Sequence, residues 1–292
     1  SAVESPARSC SSTPQKPCPR RTPGLHGGGA DEGLERAGCL RPDFASASAL
    51  PMSRFRQALG ACLPARVNAS HLLVDPDGHP VMSMTRRTCP LYFLAGASVI
   101  DGSAVEFGTW AGGSSRCIAA GVNLTGKEGR VFGFDAFQPG RDPANMKKML
   151  ALAAGNRYEA EIRRVSFDFD MRKLFLFNTQ SVYPTAVAVR ADFNRDLPRL
   201  QKDFGSRRLD LWTTDAAKSW AQVANQLNAV RSFLNVGALI ILGDFIYLGR
   251  GHVPDQVPGV YHYLVPEFLE FLAFCPGNAH GFFGLKKHLP TL

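Results

Sequence analysis

Acids and glycines stand at spacings that could do chemistry. Glu106 sits inside the apolar run Ala104-Val105-Glu106-Phe107, and Gly108-Thr109-Trp110-Ala111-Gly112-Gly113-Ser114-Ser115 follows it directly. Glycine adopts positive φ without penalty and lets a ligand approach the backbone. The start of a following helix offers unpaired N–H groups and a positive dipole end. A carboxylate buried at Glu106 needs a cationic or donor partner, and the ammonium of an amino acid would serve. Asp135 comes 22 positions after Gly113 and closes the next apolar run, Arg130-Val131-Phe132-Gly133-Phe134. An acid about twenty residues beyond a glycine turn commonly receives the hydroxyls of a ribose. The Gly108, Gly112, Gly113 spacing is not the GxGxxG of a dinucleotide site. Together these residues point to a zwitterion joined to a nucleoside; the plain alternative is a tight turn capped by an aspartate. Farther on, Asp215 and Asp244 each follow an apolar run, and His252 lies in a glycine-rich loop after the second of them, within reach of the same edge as a general base.

These residues need a frame that gathers them. Apolar strands read at 104–107, 130–134, 185–190, 209–214 and 238–242 alternate with helical patterns at 115–121, 143–152, 157–167 and 219–233. That alternation describes βαβ units and a mostly parallel, doubly wound α/β sheet. Right-handed crossovers then bring every strand's carboxyl end, and with it Glu106, Asp135, Asp215 and Asp244, to one edge. Helices at 53–63 and 86–98 precede the sheet. A helix at 261–274 and an edge strand at 280–285 follow it. Residues 1–50, rich in Ser, Pro, Gly, Ala and Arg, lack an apolar face and are expected to be disordered. The expected division is a tail over 1–50, a helical cap over 51–100 and a ligand-binding domain over 101–292.

The runs "VEFGTWAGGSS" and "VFGFDAF" resemble the first motif and the following acidic strand of class I S-adenosylmethionine-dependent methyltransferases, closest to the macrocin and catechol type of small-molecule O-methyltransferase. The resemblance covers roughly residues 85–285 and implies a Rossmann-like fold and methyl transfer to a hydroxyl of a sugar or phenol. By it, Glu106, Gly108, Thr109, Trp110, Gly112 and Ser114 line the methionine end of the donor, and Asp135 holds its ribose. Phe137, Asp192 and Phe193 lie near the adenine. Asp215-Ala216-Ala217-Lys218 matches an Asp-x-x-Lys in which the lysine is the base and the aspartate helps to hold a divalent cation. Asp244 stands where the family often has two adjacent ligands, so one is missing, and whether Mg2+ takes part stays open. Two rivals remain: a non-catalytic protein that only binds a nucleoside cofactor, and an NAD-binding oxidoreductase.

The 292 residues are 45% hydrophobic and 20% charged, which excludes global disorder, and the net charge of +8 is dispersed in short pairs rather than gathered in a stripe. Neither a nucleic-acid nor a membrane partner is expected; the partner is a small hydroxyl acceptor, with a homodimer left open. None of the seven cysteines forms a CxxC pair, so neither zinc nor a disulfide framework is expected, Cys117 reads as a core residue, and the cytoplasm is the default compartment. A removed targeting segment is not excluded, and the sequons at Asn68 and Asn123 carry little weight without a sign of secretion.

Overall fold

A computed structural model describes residues 69–292, apart from 82, 83, 87, 141, 193–203, 218, 246–255 and 276–279. Its centre is a seven-stranded sheet in the order β3-β2-β1-β4-β5-β7-β6. The strands are β1 (Ser103–Phe107), β2 (Val131–Asp135), β3 (Ala186–Arg190), β4 (Leu209–Thr214), β5 (Leu234–Leu242), β6 (Leu269–Cys275) and β7 (His280–Leu285). The first five run parallel, while β7 pairs antiparallel with both β5 and β6. The sheet is therefore doubly wound and Rossmann-like.

The helices are α1 (Cys89–Ala97), α2 (Gly113–Leu124), α3 (Pro143–Leu152), α4 (Glu159–Val165), α5 (Arg172–Asn178), α6 (Trp220–Val230) and α7 (Gln256–Tyr263). Alternate strand residues feed two cores. Ala104, Leu211, Leu239, Ile241 and Phe282 pack with α1, α2 and α5. Val105, Phe107, Trp212, Ile240, Leu242 and Phe283 pack with α6 and α7. Helix starts carry the expected chemistry: the Asp142 carboxylate accepts from the Ala144 N–H ahead of α3, and the Ser219 hydroxyl accepts from Gln222 N–H at α6.

The helix α1, within the described part of the expected cap, lies tight against α2. A Cβ on Gly96 would stand 2.0 Å from the Ile118 carbonyl oxygen, and one on Gly121 would stand 2.0 Å from that of Phe93. Only glycine permits such backbone contact. The same packing brings Cys89 and Cys117 together as a disulfide with Cα atoms 5.6 Å apart, both fully buried. Cys117 is a core residue as expected, but the expectation of no disulfide is corrected. The two cysteines are 28 positions apart, so only the meeting of two helices discloses the pair.

The carboxyl-terminal part also departs from expectation. Residues 261–274 do not form one helix: α7 ends at Tyr263, and Leu269–Cys275 is a strand. Pro266 interrupts the helical pattern, and an apolar, aromatic-rich run does not by itself distinguish helix from strand. With β6 outside it, β7 is an interior strand rather than an edge. The tail and the helix expected at 53–63 lie outside the described residues.

At the amino edge of the sheet the Asp210 carboxylate accepts the N–H groups of Ile100, Asp101 and Gly102 at 2.8–2.9 Å, fixing the entry to β1. A cavity of about 250 Å³ lies there, lined by Ser103, Lys127, Arg207 and Arg208 among others. It is at the opposite end of the strands from the glycine loop.

Candidate active site at the carboxyl edge

The loop between β1 and α2 turns by left-handed residues: Gly108 at φ 82°, Trp110 at φ 48° and Gly112 at φ 80°. For Trp110 that conformation costs energy and persists only where the surroundings impose it. They do so here. Gly108 N–H donates to the Phe134 carbonyl at 2.9 Å, Gly112 N–H to the Thr109 carbonyl at 2.8 Å, and Asn178 Nδ2 to the Ala111 carbonyl at 2.9 Å. The Trp110 N–H donates to Asp135 Oδ2 at 2.9 Å. Side chains at the glycines would collide: a Cβ on Gly108 would sit 2.8 Å from Ala216, and one on Gly112 would sit 2.7 Å from the Phe175 ring. Gly112 is the N-cap of α2, so Gly113 begins the helix in ordinary conformation.

Asp135 ends β2 half-buried. Its Oδ1 accepts the Phe137 N–H at 2.7 Å, so each oxygen holds one backbone donor and keeps acceptor capacity for another. Burial raises its carboxyl above the usual range, against the opposing pull of the two N–H groups and of Arg190. Glu106, one residue before the end of β1, is fully buried. Ser114 Oγ donates to its Oε1 and Ser115 Oγ to its Oε2, and Ser115 Oγ is 2.7 Å from Thr109 Oγ1. Burial pushes the Glu106 carboxyl up to about 7, outweighing the hydroxyls that favour its charged form. Asp135 thus holds the middle of the loop and Glu106 the first turn of α2 behind it.

The aromatic readings fare differently. Trp110 is half-buried, with the Lys148 ammonium 5.5 Å from its ring centre. Phe137 is fully buried and packs edge-on to Phe175, 5.7 Å between centres. Its ring lies in the core cluster with Phe175 and Met171. Asp192 follows β3 at this edge, beside Ala191, whose N–H donates to the Asp135 carbonyl at 2.9 Å. Phe193 lies outside the described residues.

On the other side of β1, Asp215 follows β4 and its N–H donates to the Phe107 carbonyl at 3.0 Å. Gly243 lies so close to it that an added Cβ would stand 3.0 Å from Asp215 Oδ1, and Asp244 comes next at φ 48°. The edge therefore assembles Asp215 and Asp244 as expected. Lys218, Tyr247 and His252 lie outside the described residues. Trp220 stacks on Tyr263 at 5.3 Å and packs over Gly259, so it joins α6 to α7.

Sequence reasoning missed Tyr92 and His280. The Tyr92 hydroxyl is 2.9 Å from His280 Nε2 and also hydrogen-bonds the Thr213 side chain. Burial, then the charges of Glu106, Asp215 and Asp244, hold this phenol well above its ordinary range, so it stays protonated. His280 reaches the edge because β7 begins there, with Gly281 opposite Leu242. Nothing in the local sequence marks either residue; the pairing of β7 with β5 does.

Residues 105–245 match the model of a family described as a methyltransferase domain. No curated protein matches the chain. Similar solved structures include CalS11, a TDP-rhamnose 3'-O-methyltransferase of calicheamicin biosynthesis, at 19% identity and TM-score 0.43, covering 81% of this chain and 87% of that one. The O-methyltransferase NovP is 14% identical with TM-score 0.48, covering 81% and 98%. The O-methyltransferase TomG from Streptomyces achromogenes, solved with S-adenosylmethionine, is 14% identical with TM-score 0.44, covering 70% and 82%. Over residues 105–245, just under half of its length, the chain is similar to methyltransferase domains.

Proposed function

We propose that the chain transfers a methyl group from S-adenosylmethionine to a hydroxyl of a small molecule, a sugar or a phenol. One observation carries the reading: a left-handed glycine loop whose middle is held by the acid that closes β2, leading into a helix whose first turn is held by the buried acid near the end of β1. Asp135 has acceptor capacity left for ribose hydroxyls. Glu106, near its midpoint at neutral pH, ionises when an ammonium approaches and sheds its proton to solvent. The bound donor supplies an electrophilic methyl carbon: its S–CH3 bond breaks as O–CH3 forms, and the acceptor's hydroxyl proton leaves to a base. The chain's task is alignment and proton removal. We assign proton removal to Lys218, with Asp215 beside it and His252 as the substitute base.

The fit of a divalent cation is poorer. Asp215 and Asp244 offer carboxylates, but among the described residues no group of three or more His, Cys, Asp or Glu could hold a metal. No step of the proposal runs through a cation.

Calorimetric titration of the chain with S-adenosylhomocysteine and with NADH, followed by transfer of labelled methyl from S-adenosylmethionine to sugar and phenol panels, tests the reading. Binding of the homocysteine nucleoside together with labelled product supports it. Binding of NADH alone would establish an oxidoreductase. Donor binding with no transfer that depends on Asp215 or Lys218 would establish a binding protein.

A further inference from the structure

We infer that the chain folds in an oxidising, glycosylating compartment, where Cys89 and Cys117 are joined and Asn123 carries an N-linked glycan. Two independent observations meet here. The first is the disulfide between α1 and α2. Reducing compartments keep thiols free, and cytosolic disulfides are usually transient, catalytic or sensory. Those roles need an accessible, activated thiolate. Both sulfurs here belong to fully buried residues inside the packed α1–α2 contact, which marks a structural bridge. Its formation removes two electrons and two protons from the thiols, taken up by the dithiol–disulfide oxidants of such a compartment.

The second observation is Asn123-Leu124-Thr125, an N-x-T acceptor with no proline at the middle position. Asn123 is exposed in the last turn of α2. Its Oδ1 accepts from the Thr185 hydroxyl, a bond made by the carbonyl oxygen and not by the nitrogen that a glycan takes. In the modification that nitrogen displaces the diphosphate from the sugar C1 of a lipid-linked oligosaccharide. A C–N bond forms, a C–O bond breaks, and one amide proton is lost. The buried Thr125 hydroxyl, which donates to the Val122 carbonyl, is no obstacle, because the acceptor is read on the unfolded chain. The place is also permissive for function. The 12 residues of α2 span about 18 Å, so Asn123 stands at the sheet's amino edge, away from the glycine loop.

The test uses the full-length protein with its natural amino terminus, made in its own cells and lysed into N-ethylmaleimide. We expect a non-reduced peptide map to contain the Cys89–Cys117 linked pair. We also expect peptide-N-glycosidase in heavy-oxygen water to convert Asn123 to labelled aspartate. Thr125→Ala should lose one glycan step in gel mobility and Thr125→Ser should keep it. Asn68→Gln separates any contribution of the second sequon, which lies outside the described residues. An unmodified Asn123 would overturn the glycan. Maleimide on both Cys89 and Cys117 before reduction would overturn folding in an oxidising compartment.

Discussion

The half of the sheet proposed to hold the donor, β1 to β3 with the glycine loop, and the half proposed to hold the acceptor, β4 to β7, are built on different principles. In the donor half the polar partners are close in sequence: Glu106 with Ser114 and Ser115, Trp110 with Asp135, Asp135 with Phe137. In the acceptor half they come from distant segments. The Tyr92–His280 bond spans 188 positions, and Asp215 meets Gly243 only because β4 and β5 pair. In the proposed reading, recognition of the donor is a local code, written in one turn of chain. The acceptor side is assembled by tertiary structure and can change without disturbing that turn.

The loop itself offers the strongest way to break this contrast. Gly108→Val combines a disallowed φ with collision against Ala216, the residue through which the loop touches the acceptor half. Strain alone is worth roughly 1–3 kcal/mol, and the clash adds to it. Binding of S-adenosylhomocysteine should weaken by about a hundredfold or more, measured by calorimetry. Gly126→Ala is the matched control. It carries φ 69° with no atom within 4 Å of an added Cβ, and should lower stability by about 1 kcal/mol while leaving binding unchanged. Equal loss of binding in both variants would show that the loop's particular shape does not matter.

Glu106 supplies the next effect. Its folded carboxyl titrates near 7, against an ordinary value of 4.5 in the unfolded chain. Between those values the folded chain holds a proton that the unfolded chain has released. Stability is therefore complete below about 4.5 and falls as pH rises toward 7, by an amount on the order of 3 kcal/mol, then levels. Glu106→Gln should remove this slope, as denaturant titrations at several pH values would reveal. In the native chain donor affinity should rise with pH through about 7, because the ammonium favours the carboxylate, and the same variant should flatten that rise. Parallel profiles for the two proteins would remove Glu106 from the donor's surroundings.

How legible each half was follows from the same division. The strand at 209–214 and the helix at 143–152 were readable to the residue, since turn chemistry at Pro143 and Asp215 bounds them. Glu106 and Asp135 could be singled out because the residues they bond lie within about 25 positions. The burial of Phe137 against Phe175, at a left-handed residue, is a feature no spacing rule conveys. The disulfide, Tyr92 and His280 depend on helix packing and on an antiparallel strand inserted between β5 and β6. Local periodicity carries no trace of those long-range pairings.

Asp135 distinguishes a ribose acceptor from a loop clamp. Asp135→Ala removes both roles and should weaken S-adenosylhomocysteine by at least tenfold, from about 1.5–3 kcal/mol per charged hydrogen bond. Asp135→Asn keeps one carbonyl oxygen for the Trp110 or Phe137 N–H and should lose less. Unchanged affinity in the alanine variant would end the ribose assignment.

The smallest effect tests the acceptor half alone. Because Tyr92 stays protonated, it works as a positioning residue: its hydroxyl holds His280 and Thr213 at the edge and takes no proton from substrate. Tyr92→Phe deletes those bonds and keeps the ring. With a net worth of about 0.5–1.5 kcal/mol per hydrogen bond, kcat should fall by about tenfold or less, while S-adenosylhomocysteine affinity stays within about twofold. His280→Gln, which can still bond the phenol, should recover part of the rate if position is what matters. Should Tyr92→Phe instead weaken the donor as much as Asp135→Ala does, the two halves would be one coupled site, and the separation of local donor code from assembled acceptor surface would fail.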